Sequence, residues 1–405
     1  MNKNIQGDSF IKNSYDHREI GKRQEIFSFH KEGPGFPFFH PNGLALKNQL
    51  VSYWRKEHQL AEYEEIESPM MLNKELWERS GHWELFKENM YISEVDKGEF
   101  AIKPMNCPGA MLYFQEKKRS FKELPKRICE MGKVHRNENS GSLHGLLRAR
   151  SFVVDDAHIF CSGDQLKSEV KNVISLCLKM LKHCGFHDFN FELSVRSKEK
   201  EGKYLGAEKD WVFAEKILSD SLLEMNLPCQ RIEGEAKFYG PAIDIKIKDS
   251  SNRSWQCSSI QMDFNLGERF DLHYYDKDGN KQIPYILHRC VFGSLERFMG
   301  MLLEHHKGKL PFWLAPVQVK IISVDESAIG YVHQLMEWMS DRNLRYKVDL
   351  DDCNLSAKIK RAWLEEVPVV VVVGAREKQD GKISIRFCSG AKRDLVNKEE
   401  LLEIK

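Results

Sequence analysis

The feature that most constrains this chain is a pair of strand-like segments, Arg127–Arg136 and Arg150–Cys161, joined by a Ser/Gly/His-rich loop. Side chains of an extended segment alternate between two faces, so Phe152, Val154, Asp156 and His158 fall together. That one face carries a ring, a carboxylate and an imidazole. Burying Asp155, Asp156 and His158 unpaired inside an apolar run is costly, so any sheet holding this segment must supply partners for them. Arg136, Arg148 and Arg150 bracket the loop, which suits an anion such as a triphosphate better than a water-facing turn. Periodicity alone also allows an ordinary antiparallel hairpin with a polar face.

A chain of 405 residues should divide into more than one domain, because single cores stop growing at about 250–300 residues. Residues 1–14 are polar and aperiodic and read as a mobile leader. Residues 15–310 mix helices and strands without a regular βαβ repeat, which predicts an antiparallel α+β domain. Within it, Ile243, Ile245 and Ile247 alternate with Asp244, Lys246 and Lys248, the pattern of a half-buried strand. Leu295, Phe298, Met299, Leu302 and Leu303 share one face of a helix over 294–306, with Arg297 off that stripe and free to face a ligand. Beyond Pro311 and Pro316, residues 315–405 read as a small α/β domain with a mostly parallel sheet. Its valine run Val369–Val373 fits a strand covered on both faces.

Lysine plus arginine (61) nearly balances aspartate plus glutamate (60), so any RNA contact must use local patches, and nothing predicts binding to DNA. The ten cysteines form no CxxC pair, no signal-like segment is apparent, and the valine run is far too short to cross a membrane. A cytoplasmic protein of a reducing compartment is expected.

Seven ordered motifs carry a resemblance that spans the chain from about Asp16 onward. They are DHREIG at Asp16, SGHWELF at Ser80, KPMNCPG at Lys103, RSFVVDDAHIFC at Arg150, KFYGP at Lys237, SWQCSSIQMDF at Ser254 and LHRCVFGSLERF at Leu287. With the segment ending at Pro69, the HRNE strand and the GSLERFMG helix, they resemble the threonyl-tRNA synthetases, a family of class II aminoacyl-tRNA synthetases. The resemblance implies an α+β fold: a class II antiparallel-sheet catalytic domain over 15–310, followed by an α/β anticodon-binding domain over 315–405. It also implies a short form without the N-terminal editing domains, which would activate serine and not correct it in cis.

The same resemblance assigns roles. Arg136 and Arg297 would bind the triphosphate and act catalytically, with Arg148 as a further cation, Glu138 and Gln256 near the adenosine and Phe152 stacked on adenine. Magnesium would accompany ATP. Cys107, His158 and His288 match the zinc ligands; such a metal, with positions left open, can hold the amine and hydroxyl of threonine and reject isosteric valine. Asp156, Tyr239 and Gln261 would hold the amino acid, and His82 would assist transfer to the terminal ribose of tRNA(Thr). Glu377 and Arg386 would contact the anticodon, and a homodimer would form through the Pro69 segment.

The chain also departs from the family pattern. Val154 stands where glutamine is usual and Ala242 where lysine is usual, while Lys237 is an additional cation beside Tyr239. Asp351, Asp352 and Asn354 replace basic or amide residues, and acidic groups near RNA phosphates oppose binding. Three functions follow from these residues: a threonine-tRNA ligase, a paralogue that loads threonine or a related amino acid onto another acceptor such as a carrier protein, and a silent RNA-binding homologue.

Overall fold

The computed structural model describes residues 15–197, 204–249 and 252–404; the leader expected over 1–14 lies outside the described residues. The chain forms two compact units: one comprises the residues up to Ser28, Phe38–Leu50 and Gly300–Lys405, the other Phe29–Pro37 and Val51–Met299.

The second unit is built on an eight-stranded sheet. Its strands are β1 (Glu64–Glu65), β2 (Lys126–His135), β3 (Ser151–Cys161), β4 (Phe189–Val195), β5 (Cys229–Glu233), β6 (Ala242–Lys248), β7 (Ser254–Asp263) and β8 (Tyr285–Ser294). They lie in the order β5-β4-β6-β7-β8-β3-β2-β1. Only the outermost pairings, β4–β5 and β1–β2, are parallel, so the interior of the sheet is antiparallel as the irregular element order predicts. The two opening segments pair in continuous register from Lys126 opposite Phe160 to His135 opposite Ser151. Helix Leu166–His183 buries Val170, Val173, Ile174, Cys177, Met180 and Leu181, a 3–4 spacing that gives it one apolar face. The isoleucines of β6 are fully buried, and the five apolar residues expected on one face of helix Leu295–His305 are buried while Arg297 is only partly buried.

Alternation along β3 puts Asp155 on the face opposite Asp156. There its carboxylate accepts the backbone N–H groups of Val291, Phe292 and Gly293 at 2.9, 2.9 and 2.8 Å. These donors are free because the β3–β8 ladder breaks between Cys290 and Ser294, where Gly293 adopts φ 71°. A buried charge in an apolar run thus finds its partners in a bulge of the neighbouring strand.

In the first unit, strands β9 (Val319–Ser323), β10 (Tyr346–Asp349), β11 (Val369–Val373), β12 (Ile383–Phe387) and β13 (Lys392–Val396) lie in the order β10-β9-β11-β12-β13. Only β9–β10 and β9–β11 are parallel, which corrects the expectation of a mostly parallel sheet. Helix Ala375–Asp380 has six residues and ends at left-handed Gly381, too short for a crossover, so the chain returns antiparallel. Strand β13, KRDLV, has no apolar run to announce it, and the expected terminal helix is the 3-10 segment Lys398–Glu403. The valines of β11 are buried on both faces: Val369, Val371 and Val373 pack with Leu335, Met339 and Ile385, and Val370 and Val372 with Ile322 and Ala362. Among the described residues no helix is long and apolar enough to cross a membrane.

Candidate functional site

Cys107, His158 and His288 come from three separate elements and converge. Cys107 opens helix Cys107–Gln115, with Pro108 in its first turn, while His158 and His288 are cross-strand partners on β3 and β8. All three are buried, and their ligand atoms lie within 4.8 Å of one another. The imidazole rings meet edge-on with centroids 4.8 Å apart. His288 Nε2 lies 2.9 Å from Asp263 Oδ2, while among the described residues His288 Nδ1 and His158 Nε2 are buried without a hydrogen-bond partner. Burial drives the His158 pKa well below its ordinary value and raises that of the Cys107 thiol. Burial also opposes charging of His288, but the Asp263 carboxylate and Cys107 thiol override it and lift its pKa to about 10. Two orphaned imidazole nitrogens beside a thiol, one ring oriented by a carboxylate behind it, fit a tetrahedral Zn²⁺ with an open position.

This cluster adjoins a cavity of about 400 Å³ whose walls include Cys107, His288, Asp156, Tyr239 and Gln261. Tyr239 Oη donates to Gln261 Oε1, and Gln261 Nε2 donates to Ser259 Oγ at 3.0 Å, so the amide orientation is fixed along a short chain. Asp156 receives the Asn106 amide at 3.4 Å, and burial raises its pKa to about 6. A second cavity of about 220 Å³ is lined by Arg136, Glu138, Arg148, Phe152, Gln256 and Arg297. Arg136, Val154, Ser259, Gln261 and Cys290 line both. Val154 therefore sits at the junction where groups bound in the two cavities would meet.

Arg136 and Arg297 are held alike. The Nε of Arg136 donates to the Pro104 carbonyl at 3.2 Å and that of Arg297 to the Leu147 carbonyl at 3.0 Å. Among the described residues their terminal amino groups have no side-chain partner, and burial lowers the pKa of both guanidinium groups. Arg136 also lies 5.2 Å over the Phe152 ring and 5.6 Å over Phe86. Such desolvated, pre-aimed cations suit phosphate oxygens. Arg148 pairs with Glu138 at 2.9 Å, and Gln256 Nε2 donates to Asp244 at 2.6 Å.

His82 is not brought onto either cavity wall. It is buried, with Nδ1 2.8 Å from Ser80 Oγ and Nε2 3.2 Å from the sulfur of Met105, and it is Met105 that lines the larger cavity. Burial, followed by the nearby His288 charge, lowers the His82 pKa to about 4, so the ring is neutral at physiological pH. Ala242 is buried opposite Gln261 on the neighbouring strand.

In the C-terminal sheet Glu377 accepts the Gly374 N–H at 3.0 Å and the Ser384 hydroxyl at 2.7 Å, closing the helix start. Arg386 pairs with Asp394 at 2.7 Å. Arg361 bridges Asp349 at 2.6 Å and Asp351 at 2.8 Å, and Asn354 caps the following helix.

Sequence reasoning missed Asp263, Asn106 and Ser259 as supports of the site. All three stand inside motifs already quoted, SWQCSSIQMDF and KPMNCPG, but which polar residue faces which ligand depends on strand register. It also missed the buried Lys103–Glu130 pair, 2.6 Å apart, in which both side chains hold Ser68 beside Pro69.

An antiparallel sheet carrying two free arginines over one cavity, beside a buried Cys/His/His cluster, defines the catalytic core of a class II aminoacyl-tRNA synthetase. Residues 90–306 match the family model of the tRNA synthetase class II core domain (G, H, P, S and T), and residues 318–404 match that of the anticodon binding domain. Within that class the chain belongs to the threonyl-tRNA synthetase family. It is 48% identical over 373 residues to a threonine–tRNA ligase of Caldanaerobacter subterraneus, covering 92% of this chain and 57% of that protein. The chain thus spans somewhat over half the length of the curated relatives it matches. Among solved structures it is similar to the RNA binding domain of threonyl-tRNA synthetase from Cryptosporidium parvum, with TM-score 0.91, 35% identity, and 96% and 97% of the two chains covered. It is also similar to a putative threonyl-tRNA synthetase of Aeropyrum pernix, with TM-score 0.83, 30% identity and 96% of each chain covered.

Proposed function

We propose that this chain is a threonine-tRNA ligase, which forms threonyl-adenylate from threonine and ATP and passes the threonyl group to the 3′ end of tRNA(Thr). One observation carries the reading: the orphaned nitrogen of His288, beside that of His158 and the Cys107 thiol, sits at a cavity that shares Val154, Ser259 and Arg136 with the arginine-lined cavity. Threonine would occupy the first and ATP the second, with carboxylate and α-phosphorus meeting at the shared wall.

Zinc held by Cys107, His158 and His288 would supply open coordination positions for the amine and hydroxyl of threonine, which valine cannot fill. Asp156, kept in place by Asn106, would accept hydrogen bonds from the amine and hydroxyl, and Tyr239 would complete the amine's shell. Arg136 and Arg297 would meet the negative charge that builds on the phosphates as the carboxylate oxygen attacks and pyrophosphate leaves, assisted by magnesium carried with ATP. Phe152 would stack on the adenine, with Glu138 and Gln256 around the adenosine. Neutral His82, once Met105 moves aside, would take a proton from the ribose hydroxyl that attacks the adenylate. We assign residues 15–310 to catalysis and 315–405 to the anticodon, with Glu377 and Arg386 on the anticodon side. A cytoplasmic homodimer formed through the Pro69 segment completes the reading.

The test is ATP–pyrophosphate exchange across the amino acids, with serine and valine among them, followed by transfer to tRNA(Thr). Threonine-dependent exchange and transfer are expected. Exchange without transfer would replace this reading with a carrier-loading paralogue, and neither step would leave a silent homologue.

A further inference from the structure

Asp156 on β3 and Glu130 on β2 are cross-strand partners, so two carboxylates stand on one face of the sheet with Cβ atoms about 5 Å apart. Asp156 lines the amino-acid cavity, whereas Glu130 is buried and does not. Lys103 accounts for the difference. Its buried ammonium donates to Glu130 Oε1 at 2.6 Å, to Ser68 Oγ at 2.8 Å and to the Ser68 carbonyl at 3.1 Å, which engages all three of its N–H groups. Ser68 gives its backbone N–H and its hydroxyl to Glu130 Oε1 at 3.0 and 2.9 Å, so the carboxylate is drawn toward Ser68.

The same residues clamp the segment that carries Asn106 and Cys107. At its start the Lys103 N–H donates to the Met70 carbonyl at 2.8 Å, and the His135 N–H donates to the Lys103 carbonyl at 3.1 Å. At its end Gly109 lies against Ser68, where a Cβ would come within 2.6 Å of the Ser68 Cβ. Between these two points Asn106 rests on Gly132 of β2, where a Cβ would come within 2.2 Å of its amide oxygen, and its amide nitrogen reaches Asp156 at 3.4 Å. A buried ion pair adds little net stability over apolar side chains of similar volume, whereas its directed hydrogen bonds fix where its neighbours stand.

We infer that Lys103, Glu130 and Ser68 are positioning residues for the amino-acid site: they turn one of two facing carboxylates out of the cavity and fix where Asn106 and Cys107 stand beside the other, an assignment that rests on the ligase reading above. Asp156 is thereby left to the substrate amine, and the thiol of Cys107 is set in place against His158 and His288.

The experiment compares the wild-type chain with two variants. Ser68→Ala removes the hydroxyl that joins the two charged groups and leaves the ion pair; the double variant Lys103→Met, Glu130→Gln removes both charges together, so that no lone charge is buried. In each, zinc affinity read by chelator competition should fall roughly ten- to a hundredfold, and the thiolate-to-metal absorption band of the cobalt-loaded protein should weaken or shift. In ATP–pyrophosphate exchange the threonine KM should rise by a similar factor while the ATP KM stays near its wild-type value. Should the double variant not fold, Ser68→Ala decides alone. A lower Tm accompanied by wild-type zinc affinity, cobalt spectrum and threonine KM would show a purely structural cluster, overturning the inference and leaving the ligase reading standing. A wild-type protein that held no zinc and gave no exchange with any amino acid would overturn both.

Discussion

Asp263 holds His288 from behind: its Oδ2 lies 2.9 Å from His288 Nε2, which leaves Nδ1 to face Cys107 and His158. The other carboxylate oxygen accepts the N–H groups of Asn265 and Leu266 at 2.7 and 3.0 Å. Asp263→Asn can keep those two bonds through its carbonyl and turn an uncharged amide toward His288. Zinc affinity should fall by roughly ten- to a hundredfold, read by chelator competition, with an unchanged far-UV spectrum. Undiminished zinc retention would show that the carboxylate does not orient this ligand.

His82 should separate the two steps of the proposed reaction. Replacing it with alanine is expected to leave threonine-dependent exchange intact and to slow single-turnover transfer by roughly a hundredfold or more. Burial lowers the ring's pKa to about 4, so the base form persists down to that pH. The transfer rate should therefore be flat from about pH 6 to 8 and decline only as pH falls toward 4. An inflection near the ordinary histidine value of about 6.5 would count against the buried arrangement beneath Met105.

Asp155 serves the fold. Its carboxylate accepts three N–H groups from the bulge that leads into Ser294 and Arg297, and Asp155→Asn presents them with one acceptor oxygen in place of two. Stability should drop by about 2–4 kcal/mol, seen as a lower denaturation midpoint. Asp156→Asn, on the opposite face of the same strand, should impair threonine use with a much smaller change in that midpoint. Equal midpoints for Asp155→Asn and wild type would refute this division of labour.

Asp351 looks adverse to RNA binding in the sequence, yet Arg361 already bridges it to Asp349. Arg361→Ala should weaken tRNA binding roughly three- to tenfold at low salt, and less at high salt, because it exposes both carboxylates. Asp351→Ala alone should change little. Anisotropy titrations at two salt concentrations check both, and identical curves for all three proteins would place this edge outside the RNA-contacting surface.

The sequence by itself determined which segments are strands and helices wherever a period could be read: the paired segments around the Ser/Gly/His loop, the isoleucines of β6, the stripe of helix Leu295–His305 and the valines of β11. It also determined that Phe152, Val154, Asp156 and His158 share a face, since alternation is a local property of an extended chain. Only the tertiary structure decided what that face meets. Cys107 joins His158 and His288 because a helix start is packed against two paired strands, a relation with no trace in sequence spacing. The roles of Asp155 and Asp263 depend on a bulge and on strand register, so motifs that contain them do not reveal what they hold. The antiparallel edge of the C-terminal sheet escaped notice because its last strand is polar and its connection short, and such segments take their form from the neighbour they pair with.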